Sequence, residues 1–301
     1  MVKVVKDKSR DFLIIENQNG SERESRGCPK LTICIAAIAQ DNREECIVFA
    51  TDHMITFDIG GYDEARVLGK FEHSIKKYRI IGKNTVAMIA GIPLIFSDLV
   101  KGTENLRSYD SVKEKIFQNF QKIRDTIIQN EILDVFHLDN TFLGESIKSD
   151  SLNPITEKIL EKVLDFKLNT AILLIGFDRS NRAVISEISE QSKIDVTDIH
   201  FNAIGSGYIQ AINTLYFQKH TKEKDLKTAI YNVFKAKSNA EVHEGVGRET
   251  DLLILKRDGC LKLTKDSMDD LREIYNDELG FAPTHDKFIK LNLDEVCEKC
   301  S

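Results

Sequence analysis

Thr32 is the residue best suited to nucleophilic chemistry, because it opens an apolar segment directly after a polar stretch of 31 residues. If the chain were cut between Leu31 and Thr32, the new first residue would carry both a hydroxyl and a free α-amine. A threonine hydroxyl is a weak nucleophile that needs an adjacent base, and an N-terminal amine can serve as that base. The reference pKa of an α-amine is about 7.7–8.0, so part of it is neutral at physiological pH.

Asp52, Lys77 and Gly91 stand at the ends of three further predicted strands. A lysine held by a carboxylate stays charged and favours an alkoxide-like oxygen, so Asp52 and Lys77 would support Thr32 if the strand ends converge. A glycine lets a backbone N–H approach a developing oxyanion closely, which suits Gly91. All of these residue types are also common at strand ends for structural reasons, so both interpretations stay open at this point.

The elements that would position these residues begin at Leu31. The segments LTICIAAIA and CIVFATD predict a hairpin around a charged tip, and KKYRIIG and TVAMIAG predict a second hairpin that turns at 82–84. Their continuous apolarity is typical of strands that are covered on both faces. The glycine-containing segment FDIGGYDEARVLGKFEHS between the hairpins predicts an exposed loop.

Two longer helical patterns follow these four strands. Ser111 and Glu114 match a capping box, and apolar residues recur at helical spacing over 116–128. Asn153-Pro154 matches an N-cap followed by proline at the first helical position, which predicts a helix to about Phe166.

The second half of the chain predicts three more strands, two helices and a final hairpin that turns at Asp258-Gly259. The strands are NTAILLIGFD, AVISEISE and HFNAIGSG. Strand groups separated by blocks of helices favour two sheets between two helical layers. The alternating order that is typical of a parallel doubly wound fold is absent.

Composition and charge exclude several classes of protein. Among the 301 residues, 42% are hydrophobic and 30% are charged, which is ordinary for a globular protein. The net charge of −6 offers no global attraction to nucleic acid or anionic membrane. No apolar run approaches the ~18 residues of a membrane span, and the N-terminal run is shorter than the roughly 7–15 residues of a secretory signal. We therefore expect a cytoplasmic protein with no nucleic-acid or membrane partner.

The cysteine pattern predicts free thiols rather than a disulfide scaffold. Cys34 and Cys46 lie in apolar strands and are expected to be buried. Cys297 and Cys300 form one C-x-x-C pair, which we interpret as part of a solvated tail. A zinc site would need two further ligands, such as Cys28 or a histidine.

Several of these segments resemble a known family. The runs TICIAAIAQD, VFATD and KKYRIIGKNTVAMIAG look like the start of a proteasome-type β subunit, as do Gly205-Ser206-Gly207 and the G-x-x-T-D motif from Gly247 to Asp251. The resemblance covers about 31–265 and is greatest to uncharacterised proteasome-like proteins that begin Met-Thr-Ile-Cys-Ile-Ala-Ala. It implies the N-terminal-nucleophile (Ntn) hydrolase fold, an α+β four-layer αββα sandwich of two antiparallel sheets.

The resemblance also implies roles for five residues. Thr32 falls on the family's nucleophile, Asp52 on the acidic residue after the second strand, and Lys77 on the strand lysine. Gly91 falls on the oxyanion glycine, and Ser206 falls on the serine that helps to position the N-terminal amine.

The start of the predicted domain departs from the family pattern. Leu31 stands where the family typically has glycine or the initiator methionine, so residues 1–31 are either a propeptide or lie upstream of the true start. Lys76 is the alternative to Lys77 as the strand lysine.

The region before the G-x-x-T-D motif departs from the pattern as well. The family's Asp and Ser that assist the amine correspond roughly to His243 and Val246, which leaves the set incomplete unless Glu241 or Glu244 substitutes. His243, between two glutamates, is interpreted either as a base or ligand or as a solvated loop residue.

Together these observations predict an extension or propeptide at 1–31, an Ntn-hydrolase domain at 32–265 and a charged, partly helical tail at 266–301. The resemblance implies a threonine peptidase that hydrolyses peptide or amide bonds without a metal or organic cofactor. The alternatives are an inactive structural subunit, and an Ntn amidase or acyl transferase acting on a non-protein amide. The family also implies a homo-oligomer, with a ring as one form, whereas the sequence says nothing about an ATPase regulator.

Overall fold

The computed structural model describes residues 2–6, 13–17, 32–58, 67–72, 76–139, 141, 144–145, 154–243, 245–279 and 297–299 of the chain. None of the helices in these ranges has both the length and the apolar character needed to cross a membrane.

A six-stranded antiparallel sheet carries the strands next to Thr32 and Asp52 near its centre. In spatial order its strands are Phe201–Gly205, Ile33–Asp41, Glu44–Asp52, Thr250–Lys256, Gly259–Leu263 and Cys297–Lys299. Cys34 lies opposite Thr51 in the register, so Thr32 and Asp52 come to the same end of the sheet.

A five-stranded antiparallel sheet brings Lys77 and Gly91 to one end in the same way. In spatial order its strands are Lys193–Asp195, Ala183–Ile188, Ala171–Phe177, Thr85–Ala90 and Tyr78–Ile81. The Ile89 N–H donates to the Lys77 carbonyl at 2.9 Å, which extends the last pairing by one residue beyond Tyr78. Lys77 therefore lies directly before its strand and beside the residues that precede Gly91.

The two sheets face each other, and helices cover their outer faces. Along the strand Ile33–Asp41, one set of alternate residues packs towards the helices Tyr208–Phe217 and Leu226–Ala240, and the other set packs against the five-stranded sheet. Successive side chains of a strand point to opposite faces, so a strand between two cores must be apolar throughout. This requirement explains the uninterrupted run of hydrophobic residues that begins the domain.

The second helical layer lies on the outer face of the five-stranded sheet. The helix Tyr109–Ile128 packs there through Val112, Ile116 and Phe120. The architecture is therefore the four-layer αββα sandwich expected from the order of the elements. Further helical segments include Pro93–Ile95, Phe96–Leu99, Gln129–Leu133, Asp134–Phe136, Pro154–Asp165, Thr197–Ile199 and Lys265–Leu279.

The long helix begins earlier than the capping-box prediction indicates. Ser108, not Ser111, is the N-cap: its backbone is extended and its hydroxyl accepts the Ser111 N–H at 3.2 Å. The earlier start places Tyr109 and Val112 in the core, and this burial decides between two serines that both satisfy the local capping rule.

The segment interpreted as an exposed loop after Asp52 contains two strands. Met54–Asp58 pairs antiparallel with Val67–Glu72, so the loop prediction is wrong at both ends of that segment. β-Branched and aromatic residues such as Ile55, Phe57 and Phe71 favour strands here, whereas the glycines near the middle favour a loop.

Both ends of the chain also contribute secondary structure. Val2–Lys6 pairs with Leu13–Asn17 inside the predicted extension. Within the predicted tail, the helix Lys265–Leu279 packs on the core through Leu271, and Cys297–Lys299 adds a strand to the six-stranded sheet.

Candidate active site

Asp52 is a fully buried carboxylate that accepts four hydrogen bonds at the end of its strand. Its Oδ1 accepts the Ile33 N–H at 3.1 Å and the Lys77 ammonium at 2.8 Å. Its Oδ2 accepts the Gly247 N–H at 2.9 Å and the Met54 N–H at 3.2 Å. A buried charge needs such partners, and these four donors come from four separate segments, which holds the carboxylate in one orientation.

The Lys77 ammonium joins Asp52 to the hydroxyl of Thr32. It donates to both the Asp52 carboxylate and Thr32 Oγ1. The three side chains are each no more than 2% exposed. A cation against a hydroxyl oxygen stabilises negative charge on that oxygen, so this arrangement favours Thr32 as a nucleophile.

The main chain of Thr32 is held by the turn at 205–207. The Ser206 N–H donates to the Thr32 carbonyl at 2.7 Å. Gly205 has a φ of +102°, and a Cβ at that position would collide with the Thr32 carbonyl and lie 3.3 Å from the Cβ of Ala90. The close approach therefore requires glycine, and it also brings the end of the strand that precedes Gly91 next to Thr32.

Gly91 occupies a tight turn directly after that strand. Its φ is +118°, and a Cβ there would lie 2.5 Å from the Asn169 carbonyl oxygen and 2.7 Å from Thr170 Cα. The Thr170 hydroxyl accepts the Ile92 N–H at 3.1 Å, which fixes the chain on the far side of the turn. Backbone strain and close packing both exclude a side chain at this position.

A loop from 245 to 248 contacts the site through the Gly247 N–H. Lys237, on the last turn of its helix, donates to the carbonyls of Gly247 and Arg248 at 2.6 and 2.9 Å, and to Glu241 at 2.6 Å. The candidate residues predicted from the sequence do not include Lys237. The sequence does indicate that Lys237 is buried, because it follows Ile230 and Val233 by seven and four residues and thus lies on the apolar face of its helix.

Three further candidates from the sequence, Lys76, Glu241 and His243, contact other groups. Lys76 is exposed and stacks over the Tyr78 ring at 5.9 Å, so it does not share the position of Lys77. The Glu241 carboxylate forms an ion pair with the Lys237 ammonium. His243 Nδ1 accepts the Gly245 N–H at 3.2 Å and so shapes its own loop.

Val246 adjoins the same turn that holds Thr32. It is buried, and a Cβ on Gly207 would lie 3.0 Å from its Cγ2. An apolar side chain therefore occupies the space where the resemblance implies a serine. Glu244, the other suggested substitute, lies outside the described residues.

The cysteines do not offer a competing nucleophile in the described site. Cys34 lies in the strand after Thr32, where burial raises the pKa of its thiol well above the usual range, and its Sγ donates to the Ile89 carbonyl. Burial also raises the pKa of Cys46 to about 12. A thiol is nucleophilic as the thiolate, so both are inert in the folded state. Among the described residues no cluster of three or more His, Cys, Asp or Glu side chains could hold a metal ion, and Cys28 and Cys300 lie outside them.

Two antiparallel sheets between two layers of helices define the chain as a four-layer αββα sandwich. In agreement, the chain is similar to a solved structure described as the Anbu (Gly-1) mutant from Hyphomicrobium sp. strain MC1. The match has a TM-score of 0.52 and 16% sequence identity, and it covers 87% of this chain and 98% of that one. At this identity the similarity shows the fold alone. Neither a family model nor a curated protein matches the sequence.

Proposed function

We propose that this protein is a threonine-type amide-bond hydrolase of the proteasome-like kind, active once residues 1–31 have been removed and Thr32 is the first residue. The observation that carries the proposal is the Lys77 ammonium, which contacts both Thr32 Oγ1 and the Asp52 carboxylate in a buried environment. This arrangement prepares the Thr32 oxygen for attack and supplies no base of its own. Removal of residues 1–31 would create that base, the α-amine of Thr32.

The first chemical step forms an ester. Thr32 Oγ1 attacks the carbonyl carbon of a peptide or amide bond, and the α-amine takes the hydroxyl proton, directly or through a water molecule. Lys77, held by Asp52, stabilises the negative charge that develops on Oγ1, and the Gly91 N–H donates to the oxyanion of the tetrahedral intermediate. The intermediate collapses as the leaving amine takes a proton from the α-ammonium, and the acyl group remains on Thr32.

The second step regenerates the enzyme. A water molecule, deprotonated by the same α-amine, attacks the ester carbon, and the Thr32 oxygen leaves with a proton to release the carboxylic acid. In this proposal Ser206 positions the α-amine, because its N–H already holds the Thr32 main chain. No step requires a metal or an organic cofactor.

The decisive experiment is intact mass and N-terminal sequencing of the purified full chain, with Thr32→Ala as the matched variant. A wild-type chain that begins at Thr32 and reacts with a threonine-directed electrophile, beside an unprocessed and unreactive variant, would support the proposal. A Met-Thr32 chain should be expressed in parallel, because it supplies the free amine if residues 1–31 lie upstream of the true start.

Two results would lead to the alternatives. If a chain with a free Thr32 amine remains unlabelled, the protein is better described as an inactive proteasome-like subunit. If the chain is labelled and turns over small amides but leaves peptide pools intact, the Ntn amidase or acyl-transferase function is favoured instead.

We also propose that the protein self-associates through the helix Tyr208–Phe217. Four large apolar side chains of this helix are exposed, from 47% for Tyr208 and 53% for Ile209 to 75% for Tyr216 and 80% for Phe217. Large apolar side chains that are exposed on one short helix are candidates for a protein interface. A homo-oligomer, with a ring as one possible form, would cover it.

A further inference from the structure

The side chain of Lys237 is completely buried beneath the candidate site. It lies on the last turn of the helix Leu226–Ala240 and makes three short contacts, with the Glu241 carboxylate and with the carbonyls of Gly247 and Arg248. Burial of an ammonium group is unfavourable unless all of its donors are accepted, and these three acceptors match its three N–H groups.

The two carbonyls belong to the loop that also holds the candidate catalytic carboxylate. While the Gly247 carbonyl accepts from Lys237, the Gly247 N–H donates to Asp52 Oδ2 at 2.9 Å. Asp52 in turn binds the Lys77 ammonium that contacts Thr32. The backbone of Gly247 thus links the buried Lys237 ammonium to the Asp52 carboxylate, and Asp52 in turn orients Lys77.

We propose that Lys237 is a positioning residue of the active site: it fixes the loop 245–248, so that Gly247 holds Asp52 and Asp52 holds Lys77 against Thr32. The role of this geometry in catalysis rests on the proposed function, whereas the geometric link itself does not. Burial lowers the pKa of Lys237, with Glu241 partly offsetting this effect. A less costly residue would fill the same space if packing alone were required.

A second lysine on the same helix provides a matched control. Lys235 also pairs with a glutamate, Glu278, and joins its helix to the helix Lys265–Leu279. The bond that Lys235→Met removes joins two helices and is not one of the bonds from Lys237 that hold the loop 245–248. Lys237→Met removes the proposed anchor at nearly constant volume, and Lys237→Gln retains a shorter donor in case the methionine variant does not fold.

The first measurement does not depend on catalysis. We expect amide hydrogen exchange at Gly247 to be faster by on the order of ten- to a hundredfold in Lys237→Met, because its loop loses hydrogen bonds from a charged donor. The NMR signal of the Lys77 side chain, in protein labelled with ¹³C at lysine Cε, should also shift. In Lys237→Gln both effects should be smaller, and in Lys235→Met both should match the wild type.

The second measurement is the rate at which Thr32 reacts with a threonine-directed electrophile, together with kcat and KM on a cleaved substrate. A displacement of about 1 Å can reduce a rate on the order of a hundredfold, so Lys237→Met should lower kcat by roughly ten- to a hundredfold and leave KM within about twofold. The partial donor in Lys237→Gln should restore part of the rate.

The outcomes separate this inference from the proposed function. If the folded Lys237 variants retain wild-type exchange at Gly247 and the wild-type Lys77 signal, the positioning role is wrong, whatever the activity. If those signals change while an active wild type and the variants react equally fast, the link is structural and the inference is again overturned. If the wild type itself is unreactive with a free Thr32 amine, the proposed function fails, and the exchange and NMR results still decide the link from Lys237 to Lys77.

Discussion

Lys77 Nζ lies 2.8 Å from Asp52 Oδ1, and this ion pair joins one end of the five-stranded sheet to one end of the six-stranded sheet. Both side chains are buried, so their mutual attraction is screened much less than that of an exposed pair. Since the same ammonium contacts Thr32, the pair couples the stability of the sandwich to the geometry of the candidate nucleophile.

Breaking the pair on one side should be costly. We expect Asp52→Asn to lower the free energy of unfolding by about 3 kcal/mol, because it leaves a buried ammonium without its counter-ion. Lys77→Met should lower the free energy of unfolding by a similar amount, because it leaves a buried carboxylate without its counter-ion. Denaturant unfolding of both variants and of the double variant measures the coupling: the double variant should be more stable than the sum of the single effects by about 2 kcal/mol. Strict additivity would contradict the interaction.

Gly205 should tolerate alanine much less well than Gly82. Both have a positive φ, but a Cβ on Gly82 meets nothing within 4 Å, whereas a Cβ on Gly205 collides with the Thr32 carbonyl. Gly82→Ala should cost about 1 kcal/mol of backbone strain, and Gly205→Ala should cost at least about 2 kcal/mol more because of the overlap. Urea unfolding of the two variants tests this difference, and equal losses would mean that Thr32 is not held as described.

Asp225 should stabilise the helix Leu226–Ala240 in a pH-dependent manner. Burial acts to raise the pKa of Asp225, but hydrogen bonds from the Thr228 hydroxyl and N–H outweigh it and lower the pKa below its ordinary value. A carboxyl group whose pKa is lowered by folding stabilises the folded state above its unfolded pKa of about 3.9, and loses that effect as the pH falls through the folded value.

The corresponding variants are Asp225→Ala and Asp225→Asn. The alanine variant should lose about 1 kcal/mol at pH 7, and its difference from the wild type should shrink in acid. The asparagine variant keeps an N-cap acceptor without a titrating group, so it should be close to the wild type at pH 7. Urea midpoints measured at pH 7 and at successively lower pH test this prediction. A loss of stability in the alanine variant that does not change with pH would argue against Asp225 as the N-cap of the helix.

The exposed apolar residues of the helix Tyr208–Phe217 should be needed for self-association. We expect Phe217→Ser to reduce the mass measured by light scattering, because it removes the most exposed large side chain of this surface. Leu164→Ser, at a residue that is 62% exposed on another helix, is the control and should leave the mass unchanged. A wild-type mass equal to one chain would exclude the association.

The fold could be predicted to a large extent because its signals are local and repeated. The run from Ile33 to Ala39 has no polar residue and is buried on both sides, so its composition alone indicates a strand between two layers. Local rules were ambiguous where two segments satisfied them equally. Ser108 and Ser111 both fit a cap, and only the burial of Tyr109 selects between them.

Only some residues of the candidate site could be predicted from the sequence. Thr32, Asp52 and Lys77 could be named from strand ends and from the resemblance, but their contacts depend on two sheets meeting at one end. Adjacent lysines at 76 and 77 both precede the strand Tyr78–Ile81, yet the first is exposed and the second is buried.

Local patterns in the amino-acid sequence specify the order of strands and helices, the double-sided burial of the central strands and the residue types available for chemistry. Which of those residues meet depends on the folded chain, because contacts between segments far apart in the sequence are set by packing and register rather than by local preference. Lys237 illustrates the limit. Its place on an apolar helix face was visible, but its three acceptors come from a turn and a loop whose positions only the folded chain provides.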